Sequence, residues 1–240
     1  VADAIAIAKL GLLADLERLN IFSQNISNAT TTGYRRQVPI SSDLFSRLRV
    51  PVADAYATTG TTFSSTDSGT GPLSQTKRAL DIALDGEGFL QIATADGPRY
   101  TRRGDLTLDG GGKLTTASGD AVVGSSGEIT LKTDRVEILP NGEIRTGPDL
   151  LGRLDIVSFA DKTALEYEGN GLFRARADAV PTREAETTTV RQGFLETSNV
   201  RPVQEMVSLL ETSRNFELTR NVLSAYDTML DSAINVAGVV

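Results

Sequence analysis

Residues 202–240 read PVQEMVSLLETSRNFELTRNVLSAYDTMLDSAINVAGVV. Leu209, Phe216, Leu223, Leu230 and Ala237 fall at seven-residue intervals within it, and Val222, Tyr226, Met229 and Ala233 form a second stripe beside them. A seven-residue apolar repeat keeps one helix face turned toward a partner. The stretch therefore predicts a helix of about 35 residues, ~50 Å long, with a seam that buries against other helices. Pro202 suits its first turn, where a missing N–H costs nothing. Met206 and Ile234 join this stripe as contact residues.

Outward from this helix, the opposite end of the chain carries a counterpart. Ile5, Ala8, Leu12, Leu16, Leu19, Phe22 and Ile26 recur at spacings of three and four, one continuous apolar face. That helix is expected from Asp3 to Ile26, broken by Asn25, Asn28 and the run from Thr30 to Gly33. The simplest partner for each helix is the other, with both chain termini returning to one end of the molecule. Charge agrees weakly: residues 1–36 carry net +1 and residues 202–240 net −3. At a solvated surface such a difference sets register more than stability.

Between the helices the pattern changes period. Ile82, Leu84, Phe89, Leu90 and Ile92 flank Asp85-Gly86, Leu106 and Leu108 precede Asp109-Gly110, and Val136 and Ile138 precede Asn141-Gly142. Asx-Gly pairs between alternating apolar residues predict hairpins. Leu154, Ile156 and Phe159, then Leu172 and Phe173, add further strands. The expected class is α+β. An N-terminal helix (residues 1–36) and a C-terminal helix (198–240) pair in a coiled-coil-like domain, with an extended Pro/Ser/Thr/Gly-rich connector (37–75) and a central all-β domain (76–197).

Composition removes more chemistry than any motif adds. The chain has no Cys and no His, which excludes thiolate nucleophiles, imidazole shuttles and Ser-His-Asp triads and leaves carboxylates, Lys, Tyr and Ser. A net charge of −7 with no basic stripe gives nucleic-acid binding no support. Neither a signal peptide nor a membrane span is readable, so no direct membrane insertion is expected.

The motifs match a family along nearly the whole chain. Ser23-Gln24-Asn25-Ile26-Ser27-Asn28-Ala29-Thr30-Thr31-Thr32-Gly33-Tyr34-Arg35 resembles the Asn-rich signature of the flagellar rod and hook axial proteins. Gln192-Gly193-Phe194-Leu195-Glu196-Thr197-Ser198-Asn199-Val200, followed by Glu205-Met206-Val207 and Arg214-Asn215-Phe216-Glu217, is similar to their C-terminal signature. Leu80 to Leu90 and Tyr100-Thr101-Arg102-Arg103-Gly104 look like their core motif. Ser23, Gln24 and Ser27 depart from the Ala, Asn and Ala more usual in that family.

The resemblance implies a structural subunit of the basal-body rod, built from terminal helices at the core of a torque-transmitting tube with the β domain outside. It also implies passage through the flagellar type III export apparatus, a place in the periplasmic rod, and partners among other rod subunits and copies of itself. No room remains for the hook subunits' outer domain. The modest length and Gly152-Arg153-Leu154-Asp155-Ile156-Val157 favour the proximal-rod F-type over the distal-rod G-type.

The contact residues expected are Ile5, Leu12, Leu16, Leu19, Phe22, Ile26, Asn28, Gly33 and Tyr34, with Met206, Leu209, Phe216, Leu223, Tyr226, Leu230 and Ile234. Asn28 is expected to leave the helix, Gly33 to take a positive φ, and Tyr34 to turn back onto the helix pair. The alternative is an ordinary loop glycine beside a surface tyrosine.

Arg35-Arg36 and Arg102-Arg103 read either as solvated faces or as contacts to acidic groups of neighbouring subunits. Gly86-Glu87-Gly88 lacks the Lys-Ser/Thr of a phosphate loop, and Asp105 and Asp109 lack the closing Glu of a calcium loop. No catalytic residue, cofactor, metal or small-molecule substrate is expected. A β-rich hydrolase using Ser and Lys or paired carboxylates, and a trimeric fibre or phage-tail component, are the competing readings.

Overall fold

The computed structural model describes residues 2–39, 64–67, 69–160, 165–176, 179–183 and 188–237. Residues 40–63, the middle of the expected connector, lie outside them, as do the side chains beyond residue 229. Among the described residues, helices α1 (Ala2–Ser27) and α2 (Pro202–Ala237) bracket β-strands. The chain divides into two compact units. One gathers α1, α2 and the strand Gln37–Pro39; the other gathers residues 28–36 with the described residues of 66–200.

In the helical unit, α1 and α2 are in contact with each other. Among the described side chains, those buried or half-buried on α2 are 205, 208, 209, 212, 213, 216, 219, 223 and 226, and on α1 5, 8, 12, 14, 15, 17, 18, 19, 21, 22, 25 and 26. Each series contains a run at steps of three and four, from 205 to 226 and from 5 to 26. One face of α2 is thereby covered, and a broader arc of α1. The last turn of α1 meets the first turn of α2, where the Asn25 amide donates to Glu205 Oε2 at 2.9 Å. The same amide donates to the Gln37 carbonyl at 2.7 Å, and the Gln37 N–H donates to Asn25 Oδ1 at 2.8 Å. Asn25 and Glu205 are both buried, so each polar atom taken from water there finds a partner.

The β unit is dominated by an antiparallel sheet of ten strands. Its main path runs Leu165–Gly169, Leu172–Ala175, Gly97–Thr101, Phe89–Thr94, Ala121–Gly124, Leu114–Thr115 and Thr107–Leu108. A three-stranded sheet (Glu137–Ile138, Glu143–Thr146, Asp149–Arg153) lies alongside in sequence. Two further pairs join distant segments: Ile82–Asp85 with Thr189–Gln192, and Leu73–Gln75 with Phe194–Glu196. The main core packs Leu80, Ile82, Leu84, Leu90, Ile92, Leu106 and Leu114 with Val122, Ile144 and Leu154. A second, aromatic cluster holds Tyr100, Val157, Phe159, Leu165 and Phe173.

Two of the expected Asx-Gly hairpins are present. Asp109 Oδ1 accepts from the N–H groups of Gly111 at 2.8 Å and Lys113 at 2.7 Å, folding Thr107–Leu108 onto Leu114–Thr115. Asn141 Oδ1 accepts from Glu143 N–H at 3.1 Å between Glu137–Ile138 and Glu143–Thr146. The expectation at Asp85-Gly86 is corrected: Ile82–Asp85 does not pair with Phe89–Thr94 but with Thr189–Gln192. Ile82, Ala83 and Leu84 are buried in succession, so this strand is covered on both faces. A continuous apolar run reads as that, not as half of an alternating hairpin.

Candidate assembly interface

The expected contact residues of α1 divide by exposure. Ile5, Leu12, Leu19 and Ile26 are half-buried and Phe22 is buried, whereas Leu16 is 48% exposed. On α2, Leu209, Phe216, Leu223 and Tyr226 are half-buried in the narrow covered face, and Met206 is exposed. Leu230 and Ile234 lie within α2, with side chains outside the described residues. The second stripe divides, with Tyr226 on the covered face. Val222 and Met229 are each 69% exposed, and Val203, Val207, Leu210 and Leu218 continue apolar surface along the helix. One face of α2 is thus covered within the unit, and another presents a file of aliphatic side chains to water. An exposed apolar surface of that kind is a candidate docking surface.

Past the end of α1 the chain turns sharply. Thr31 donates its backbone N–H to the Asn28 carbonyl at 3.1 Å, and its hydroxyl meets Asn28 Oδ1 at the same distance. Such local bonds compete with helical ones and end the helix. Gly33 follows with φ +65°, and its N–H donates to the Glu196 carbonyl at 2.8 Å. A Cβ there would lie 2.7 Å from Arg102 C and from Arg103 N, so both the backbone angle and the space require glycine. Tyr34 is 1% exposed, and its ring meets Tyr167 edge-on at 5.5 Å. A packing partner of Tyr34 is thus an aromatic side chain on the strand Leu165–Gly169 of the β unit. The aromatic side chain finds a ready aromatic cluster there.

The first member of each basic doublet does not lie on a solvated face. Arg35 and Arg102 are buried, and both pair with the carboxylate of Glu196, itself 1% exposed. Arg35 Nη2 lies 2.9 Å from Oε1, which also accepts the Gly71 N–H at 2.8 Å. Arg102 donates to Oε2 from Nε at 2.8 Å and Nη2 at 2.7 Å. The rest of its guanidinium serves the carbonyls of Leu84 at 2.8 Å, Gly86 at 2.9 Å and Gly88, with the ring of Phe89 at 5.8 Å from Cζ. Burial pulls the Arg35 pKa down to about 10; the Glu196 charge raises it and the Arg102 charge lowers it.

The second members of the doublets are less enclosed. Arg103 pairs with Asp105 at 2.7 Å, a hydrogen bond that raises its pKa, and Arg36 donates its backbone N–H to Asn199 Oδ1 at 2.7 Å.

This cluster joins the three motifs quoted above, since Gly33 and Arg35, then Arg102, then Glu196 come from segments far apart in sequence. Sequence reasoning missed it. The available signal was a lone carboxylate in the short strand Phe194–Glu196, just where a charge has no business on an apolar run unless it is paired. Such a carboxylate, held by two guanidinium groups, makes charge-assisted hydrogen bonds with both of its oxygens. Among the described residues no group of His, Cys, Asp and Glu is arranged to hold a metal ion, and no helix is long and apolar enough to cross a membrane.

Residues 83–146 match the family model described as the flagellar hook protein FlgE/F/G D1 domain, and residues 191–236 match the flagellar basal body rod FlgEFG protein C-terminal model. The chain is similar to the flagellar basal-body rod protein FlgG of Buchnera aphidicola subsp. Acyrthosiphon pisum, with 32% identity over 93% of this chain and 95% of the relative. It is similar to FlgF of Salmonella typhimurium at 32% identity over 88% and 89% of the two chains. FlgF of Mesorhizobium japonicum is 27% identical over 98% of both.

Proposed function

The chain belongs to the flagellar basal-body rod proteins, of F or G type, and from that premise we propose that it builds the rod through the exposed face of α2 while α1 covers the other face. It is a structural subunit. The carrying observation is the split on α2, where Leu209, Phe216 and Leu223 are half-buried and Val222 and Met229 stand in solvent. The three-and-four spacing on both helices supports an antiparallel coiled-coil-like pair, with knobs of one seam set into holes of the other. The Asn25–Glu205 hydrogen bond fixes the register of that pair at one end.

Neighbouring rod subunits, including copies of this chain, then cover the exposed aliphatic file. Repeating one such heterologous contact generates an open helical tube, the geometry of a drive shaft that transmits torque. The chain reaches the periplasmic rod through the flagellar type III export apparatus, and no catalytic step enters its role.

The F-type position, in the proximal rod, is supported by the end-to-end alignment with the FlgF of Mesorhizobium japonicum. The G-type position, in the distal rod, is the second reading, favoured by the 32% identity to a FlgG over nearly the whole chain. A deletion strain complemented with an epitope-tagged copy tests the assignment. The tagged chain is expected in purified basal bodies, and its loss should abolish motility. Complete rods and normal swimming without it would refute the proposal, and the tag's position along the rod in electron micrographs separates F-type from G-type.

A further inference from the structure

We propose that Arg35, Glu196 and Arg102 form a mechanical clamp that closes the two chain ends of the β unit on each other, so that tension applied along the chain is held by buried ion pairs and not by the sheet. The chain first enters this unit at Asn28, leaves it after Arg36, re-enters at Thr66 and leaves for the last time at Val200. The incoming segment is tied to the outgoing one at three successive points. Gly33 N–H donates to the Glu196 carbonyl at 2.8 Å, Arg35 Nη2 meets Glu196 Oε1 at 2.9 Å, and Arg36 N–H donates to Asn199 Oδ1 at 2.7 Å.

Asp67 and residues 69–72 brace both sides. Asp67 N–H donates to the Arg36 carbonyl at 2.8 Å, and Asn199 Nδ2 donates to the Gly69 carbonyl at 2.9 Å. Gly71 N–H donates to Glu196 Oε1, and Thr197 N–H donates to the Pro72 carbonyl at 2.9 Å. Arg102 then anchors Glu196 from the core side, through the carbonyls of Leu84, Gly86 and Gly88.

A pull between the two ends therefore meets these bonds first. The sheet strands lie within the loop that the bonds close, and they carry no tension until the loop opens. Ion pairs suit this position because water is excluded from it. Charges out of reach of solvent are screened little by salt, and removing one partner leaves the other buried and uncompensated. The inference rests on this geometry alone and does not depend on assignment to the rod.

The full chain contains no cysteine, so paired cysteines provide unique handles. Ser27→Cys with Arg201→Cys loads the clamp, and Ser118→Cys with Asp149→Cys loads the sheet through residues 118–149, a path that contains none of Arg35, Arg102 and Glu196. All pulling is done in a Leu223→Asp background, which prevents the helix pair from sharing the force. Lifetime at constant force is measured in optical tweezers for the parent, Arg35→Met and Glu196→Gln.

With the first pair of handles, Arg35→Met is expected to shorten the lifetime roughly tenfold or more, and Glu196→Gln further still. With the second pair, Arg35→Met should leave the lifetime within about twofold, because that barrier lies in the sheet. Molar salt should leave the parent's clamp lifetime unchanged. Equal shortening along both paths would reduce the cluster to ordinary core stabilisation and overturn the clamp, as would an unchanged lifetime for Arg35→Met. Arg35→Met retains the Arg102–Glu196 pair, so it decides the matter even where Glu196→Gln does not fold.

Discussion

Gly33→Ala isolates the close approach on which the turn after α1 depends. Two costs combine at this position. Placing a Cβ at φ +65° costs about 1 kcal/mol relative to glycine. The new Cβ would also lie 2.7 Å from two backbone atoms of the Arg102–Arg103 peptide and 2.9 Å from the Arg102 carbonyl oxygen. Backbone cannot swing aside as a side chain tip can, so relief requires moving either the turn or the segment that holds Arg102, at about 1–3 kcal/mol. The sum is roughly 2–4 kcal/mol.

Gly147→Ala is the matched control. Its φ is +58°, and a Cβ there meets nothing within 4 Å, so only the conformational cost of about 1 kcal/mol applies. Thermal unfolding followed by circular dichroism reads the difference. For a chain of this size the midpoint should fall by roughly 5–15 °C for Gly33→Ala and about 2–4 °C for Gly147→Ala. Equal shifts would refute the reasoning, since the contact at Gly33 would then contribute nothing.

Adjacent residues on α2 should separate folding from assembly. Leu223→Asp puts a charge into the covered face and should cost several kcal/mol of helical-unit stability, whereas Val222→Asp, already solvated, should change the isolated chain by under about 0.5 kcal/mol yet abolish rods on complementation. Asn25→Ala removes the amide shared by Glu205 and the Gln37 carbonyl, and should cost about 1–3 kcal/mol, read by urea unfolding. Burial raises the Tyr167 phenol pKa above the ordinary value of 10.0, so this group stabilises the fold fully below that pH and the contribution is lost as pH rises through the folded-state value. Ultraviolet titration should show a tyrosine ionising late, and Tyr167→Phe should delete that step; an unchanged titration curve would mean that another tyrosine carries it.

Both helices were legible because their signal is periodic and long, and a seven-residue repeat of apolar side chains survives any detail of packing. The hairpins at Asp109-Gly110 and Asn141-Gly142 were legible for a similar reason, since the side-chain oxygen that makes each turn belongs to the turn itself. The pairing of Ile82–Asp85 with Thr189–Gln192 was not. It joins segments about a hundred residues apart, and nothing local encodes which distant strand covers a buried one.

The same limit hid the Arg35–Glu196–Arg102 cluster. Each residue alone reads as a surface charge, and burial becomes reasonable only once all of them stand together. The two stripes on α2 were both visible in sequence, but which of their residues α1 covers depends on the rotation of one helix against another, a property of the pair.

Disulfide cross-linking in assembled particles addresses the central claim most directly. Val222→Cys and Leu223→Cys, each the only cysteine in the chain, are installed singly in the complemented strain, together with cysteine-bearing copies of neighbouring rod subunits, and purified basal bodies are oxidised. An α2 whose exposed face docks neighbours predicts intermolecular adducts from Val222→Cys and few from Leu223→Cys, which faces the covered side. Adducts from Leu223→Cys with none from Val222→Cys would contradict the account, because the solvated face would then remain solvated in the rod.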